Sequence, residues 1–295
     1  MALITKSGHD LHPIGIGTWG IASRVNSSLP SGRYRDVEAV RGREDEEIDA
    51  IRHSISLGQN HLDCAELYGA FYTDEVVGAA IAGAGAARSD LFIGDKLWRH
   101  STAPGAVRAT VEQMLTKLRT DYLDLLSIHA PWKDVEWQAA LPQIDRLIDE
   151  GIVRHLGVSN FTITHMREAQ AIAMHPIRAN QVHFNCLHRD EADDAFRSFC
   201  DEHSIAIVAY QPMKRGAVLG HPALVDIATD HGATPAQVAL AWLVHLGALA
   251  IPKATQRSHI EENLAALDIE LTTSDLDVIA TLSPTDHPSS SSEAQ

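Results

Sequence analysis

The chain has 295 residues, 45% hydrophobic and 21% charged, with a formal net charge of −15. That length buries a sizeable core, as two average domains or one large barrel, while the acidic balance disfavours nucleic acid and anionic membrane surfaces as partners. Cys64, Cys186 and Cys200 form no CxxC pair, and neither a secretory h-region nor an apolar run of transmembrane length is expected, so a reducing, cytoplasmic setting is predicted.

In chain order, residues 1–14 read as a hairpin, with a turn at 7–10 between ALITK and LHPIG. Eight apolar runs follow that read as buried parallel strands: 14–19, 60–66, 91–97, 123–130, 155–160, 179–185, 205–212 and 248–254. Helical patterns separate them, including EDEEIDAIRHSISLG, APGAVRATVEQMLTKL, QAALPQIDRLIDEG and HGATPAQVALAWLVH. Gly58 and Gly151 stand where C′ glycines belong, Asn160 is a candidate cap for the helix after Phe161, and Thr273 or Ser274 for the last helix. Eight β-α units predict a closed (β/α)8 TIM barrel as one domain over 1–295, with the hairpin closing its base. Residues 21–43 form a polar insert after the first strand, read as a solvated loop or as a flap over a site. The tail at 284–295 is polar and expected to be disordered.

GIGTWG at 15–20 matches GxGxxG, but no helical period follows it, so a dinucleotide fingerprint is rejected. The 17 histidines raise the possibility of a barrel metal hydrolase, yet there is no HxH or HExxH. His61 and Asp63 are read as alternating in face, and no metal site is assigned. Asp63, Lys96 and His129 each end an apolar run, and Tyr68 follows the first of these runs. A charge at the end of a buried strand is costly unless paired or used. The bland alternative is a structural Asp–Lys pair with a satisfied core histidine. Three adjacent strands ending in such groups, at the barrel end that carries catalysis, favour a shared proton-transfer site.

GIGTW, LDCAELYG, DKLW, IHAP, GVSNF, NQVHFN, AYQP and IPKATQRSHIEENLAA, spread over nearly the whole chain, resemble the aldo-keto reductase family. The resemblance implies a barrel with NADPH across its C-terminal face and reversible carbonyl reduction. Tyr68 would be the general acid, Lys96 would lower its pKa, Asp63 would hold Lys96, and His129 would orient the carbonyl. Ser159, Asn160 and Gln181 would hold the carboxamide, and Tyr210 would stack on the nicotinamide. Backbone amides of the loop from Gln211 to Gly216, Met213 among them, would approach the pyrophosphate. Lys253 and Arg257 would meet the 2′-phosphate, Glu262 and Asn263 the adenine, with Thr18, Thr255 and His259 also near the nucleotide. Ala254 and His259 depart from the family pattern and remove 2′-phosphate ligands, so NADH use is possible beside the expected NADPH preference. Ala130, where tryptophan is common, widens the pocket, and Trp19, Trp98 and Trp132 are its expected walls. The reading is an NADP-dependent reductase of small carbonyls, monomeric or weakly oligomeric, with a regulatory or redox-sensing barrel of slow turnover as the rival.

Overall fold

The structure, a computed structural model, describes residues 11–25 and 37–282. Its frame is one eight-stranded parallel sheet of β1 (Ile16–Gly17), β4 (His61–Asp63), β5 (Phe92–Leu97), β6 (Leu123–Ile128), β7 (Val153–Ser159), β8 (Ile177–His183), β9 (Ala206–Tyr210) and β10 (Leu249–Ala250), paired in that order. All eight predicted strands are present. The ring closes where Ile14 bridges Ala250 and Gly17 N donates to Pro252 O at 3.0 Å. A Cβ on Gly17 would stand 2.4 Å from Ile251 O, so the seam admits only glycine there.

Helices α1 (Glu44–Ser56), α2 (Tyr72–Ala82), α3 (Val107–Leu118), α4 (Leu141–Asp149), α5 (Ile163–Ile172), α6 (Asp194–Glu202), α7 (Pro222–Asp230), α8 (Pro235–His245), α9 (Arg257–Leu264) and α10 (Thr273–Thr281) cover the strands or extend that layer. Strands covered on both faces need apolar side chains throughout, and β5 and β6 are buried along their whole length. The larger core cluster lies between strands and helices; a smaller one of Phe92, Leu125, Ala179, Ala206, Val208 and Ile251 fills the barrel.

Gly58 and Gly151 take positive φ, 95° and 75°, directly after the C-caps of α1 and α4, as expected. Two caps fall elsewhere than the sequence suggests. Thr162, not Asn160, caps α5 in a capping box with His165, and Thr272 caps α10 with Asp275. Asn160 sits instead at φ 61°, which frees its side chain for the site. His61 and Asp63 also correct the sequence reading. Residues two apart on a strand share a face, and His61 packs edge-on to Phe92 inside the barrel while Leu62 points to the helices.

The insert begins and ends as an antiparallel pair, β2 (Ser23–Val25) with β3 (Val37–Ala39), rather than as a plain loop. Its middle, with Arg33 and Arg35, lies outside the described residues, as do most of the N-terminal hairpin and the C-terminal tail. Among the described residues, no helix is long and apolar enough to cross a membrane.

Candidate active site

The four ionisable residues converge at the C-terminal ends of β4, β5 and β6. Lys96 Nζ donates to Asp63 Oδ1 at 2.6 Å and to the Cys64 carbonyl at 2.5 Å, and stands 5.1 Å from the centroid of the Tyr68 ring. The Tyr68 and His129 rings meet edge to face at 6.2 Å. Burial alone would push Lys96 down, but the Asp63 carboxylate and its hydrogen bond outweigh it, so the ammonium is held above its ordinary value. Burial pushes the Tyr68 phenol up, and Lys96 pulls it back only in part. Lys96 thus lowers the phenol, as expected, but burial outweighs that pull and the phenol stays protonated at neutral pH. Burial, with the Lys96 charge beside it, keeps His129 well below the usual imidazole range and so neutral.

These groups open onto a cavity of about 610 Å³ lined by the apolar Trp19, Leu67, Trp98, Ala130 and Trp132 and by Ser159, Asn160, Gln181, Tyr210, Gln211, Met213 and Lys253. All three predicted tryptophans form its walls. Trp19 meets Tyr68 edge-on at 4.9 Å, and Trp98 meets His129 at 4.9 Å and Trp132 at 5.0 Å. The left-handed turn at Asn160 sends its amide to the His129 carbonyl at 2.9 Å, while its Oδ1 accepts from Tyr210 Oη at 2.8 Å. Ser159 Oγ donates to the Gln181 carbonyl at 3.0 Å. One face of Tyr210 stacks on His183, 5.4 Å away and 8° from parallel. After β9 the chain turns sharply, with positive φ at Gln211, Lys214, Arg215 and Gly216.

Other predicted residues are placed differently. Thr18 is fully buried off the cavity, its hydroxyl donating to the Asp63 carbonyl at 2.7 Å, so it braces the end of β4. Glu262 accepts from Thr234 Oγ1 at 2.7 Å, at the N-cap of α8. Arg257 is gripped by Asp49 of α1. Thr255, His259 and Asn263 lie past the cavity, along the approach to α9 and its length. The sequence reading missed Leu67 and Leu219 as lining residues. Leu219 belongs to a 3-10 segment, Lys214–Gly220, whose composition carries no strand or helix period.

Among the described residues, His183, His188 and Glu191 place one ligand atom each within 4.8 Å. The two imidazoles are stacked at 3.9 Å and 21°, so their in-plane lone pairs run side by side rather than converging on one ion. Lys214 and Arg215 add positive charge beside them.

Behind the site, on the helix side of the sheet, Glu66, Asp74 and Asp95 are buried carboxyls. Burial raises Glu66 to about 7 and Asp95 to about 8. Hydrogen bonds from Ser101 Oγ, at 3.0 Å, and from the Trp98 backbone restrain that rise for Glu66. A raised carboxyl favours folding below its unfolded value and loses that contribution as pH climbs through its folded value. Stability should therefore decline as pH rises from about 4.5 to about 7. Glu66→Gln should flatten that decline by up to about 3 kcal/mol in denaturant titrations at pH 5 and pH 8. An unchanged slope would count against Glu66 as its source.

Residues 13–283 match the model of the aldo/keto reductase family. The chain belongs to this family. It is 33% identical over 240 residues to methylglyoxal reductase DkgB of Yersinia pestis, covering 80% of this chain and 87% of that one. It is also 33% identical over 237 residues to glyoxal reductase of Bacillus subtilis (strain 168), covering 80% and 83%. Among solved structures, a thermostable aldo-keto reductase in complex with the inhibitor epalrestat superposes with a TM-score of 0.83 at 32% identity, covering 93% of this chain and 96% of that one. An aldo/keto reductase from Klebsiella pneumoniae in complex with NADP and acetate gives 0.78 at 29% identity, covering 93% and 92%. The protein is thus a carbonyl-reducing oxidoreductase on a (β/α)8 barrel.

Proposed function

We propose that the enzyme reduces small reactive aldehydes, α-dicarbonyls such as methylglyoxal and glyoxal foremost, with Tyr68 as the proton donor. The convergence of Tyr68, the Lys96–Asp63 pair and neutral His129 at the mouth of one tryptophan-walled cavity carries this reading. The names of the relatives above support the substrate class, as does Ala130 beside His129, which leaves room without adding specific polar recognition.

The cavity fits a nicotinamide nucleotide. Tyr210 keeps one face on His183 and lines the cavity, a flat support for an aromatic ring. Ser159, Asn160 and Gln181 border that support with carboxamide-binding polar groups, Gln211 to Gly216 would turn backbone amides toward phosphates, and Lys253 would take the 2′-phosphate. When bound, the dihydronicotinamide supplies the hydride. The remaining work falls to this chain's own side chains. As charge develops on the substrate oxygen, Tyr68 Oη gives it a proton. Lys96 stabilises the phenolate that remains, and Asp63 keeps Lys96 charged and in place. His129, being neutral, offers a single N–H to the carbonyl oxygen and no competing acid. The tryptophans exclude water.

Purified enzyme with NADPH should turn over methylglyoxal and glyoxal, followed by cofactor absorbance. Turnover of simple aromatic aldehydes but of no dicarbonyl would refute the substrate assignment. Tight nucleotide binding with no turnover of any carbonyl would favour the sensing barrel instead.

A further inference from the structure

We propose that Asp49 sets the enzyme's choice between NADPH and NADH by holding the Arg257 guanidinium away from the 2′-phosphate. This rests on the reading above, in which the adenosine end lies over Lys253 and the first turn of α9. Arg257 opens α9, and Asp49 lies in the neighbouring α1. Arg257 Nε and Nη2 donate to Asp49 Oδ2 at 3.1 and 2.8 Å, and Nη2 also reaches Oδ1 at 2.9 Å. The guanidinium thus meets a carboxylate in the bidentate geometry in which it would meet a phosphate.

Two further contacts place α1 against this region. His53 Nε2 and Glu261 Oε1 lie 2.9 Å apart, tying α1 to α9 a second time. Buried Glu47 accepts from Ala22 N at 3.0 Å, and Lys253 is among the cations that stabilise its charge. Both cations assigned to the 2′-phosphate are therefore already opposed by α1 carboxylates. Ala254 adds no polar group. An arriving phosphate must displace Asp49 from Arg257 or stand beside its negative charge, whereas the 2′-hydroxyl of NADH suffers neither. Carboxylates beside a ribose favour the unphosphorylated nucleotide for the same reason in other dinucleotide sites.

The opposite role for Asp49 is a strut that aims Arg257 at the phosphate, and the two roles differ in sign. In Asp49→Asn the ratio of kcat/KM for NADPH over NADH should rise about fivefold at low ionic strength, the scale of one exposed ion pair. The gain should lie in KM for NADPH and vanish in Asp49→Asn/Arg257→Ala. Asp49 is exposed, so the substitution should not disturb folding, and an unchanged Tm confirms that. A ratio that falls (the strut), or that stays within about twofold, overturns the proposal. Lys253→Ala separates the two readings. If it lowers the ratio while Asp49→Asn leaves it flat, only the role of Asp49 fails; if it leaves the ratio unchanged, the placement of the adenosine end fails and the proposal with it.

Discussion

The Tyr68→Phe enzyme should still bind nucleotide but lose roughly 10²–10⁴ in kcat for carbonyl reduction, the usual worth of a positioned general acid. Among the described residues, the phenol is the one donor in the cavity that is both protonated at neutral pH and backed by a fixed cation. Burial pushes it up and Lys96 restrains it, while neutral His129 cannot replace it as an acid. The substitution removes only the hydroxyl. The ring keeps its packing with Ala65, Leu67 and Trp98 and its edge contact to Trp19. Lys96 keeps Asp63 and the Cys64 carbonyl. Stability should thus move by no more than about 1 kcal/mol. Nucleotide affinity, read by fluorescence titration, should not change, since the hydrogen bonds that hold Ser159, Asn160 and Tyr210 do not involve Tyr68. A loss in kcat below about tenfold would show that another group delivers the proton.

The strands were legible because a parallel sheet covered on both faces needs unbroken apolar runs, and FIGDKL and LDLLSI are such runs broken only by groups with a task. Three of the four proton-transfer residues were legible as charges closing those runs, and Tyr68 by its place in LDCAELYG. The roles at the adenosine end were harder to read. Nothing in IPKATQR indicates that Arg257 meets a carboxylate 208 positions earlier, because that pairing depends on how α1 and α9 lie side by side around the barrel. Thr18 and Glu262 illustrate the same limit: hydroxyl and carboxyl were foreseen, but which neighbour would engage them was set by the β4 end and the α8 cap. Of the two roles read for Asn160, only the cap fell elsewhere, to Thr162, because a cap motif and a left-handed turn share the same residue preference. The pull of Lys96 on Tyr68 could be read from sequence as a charge pairing, but the degree of burial that outweighs it could not.

Asp63→Asn should cost about 3–5 kcal/mol at pH 7, because it strands a buried ammonium. Only 4% of the Lys96 side chain is exposed, and burial, the largest influence on it, already works against the charge. With Asp63 present, the net direction is upward. Such a group stabilises the fold below its unfolded value, and that contribution fades only as pH climbs through the higher folded value. The native enzyme should therefore show no Lys96-linked loss of stability between about pH 7 and pH 10. Without the carboxylate, burial decides and the folded pKa drops below the unfolded one. The sign of the linkage then inverts: the unfolded chain binds the extra proton, and stability rises with pH up to the ordinary lysine range, about 10.4. Denaturant titrations should show a deficit that is large at about pH 7 and shrinks toward about pH 10. A deficit equal at both values would mean that the new amide had merely disturbed packing. Adding Lys96→Met to the variant removes the stranded charge and should recover much of the stability at neutral pH, while carbonyl reduction stays lost. That separation follows because Asp63 serves the fold only through Lys96, and Lys96 serves the reaction only while charged beside Tyr68.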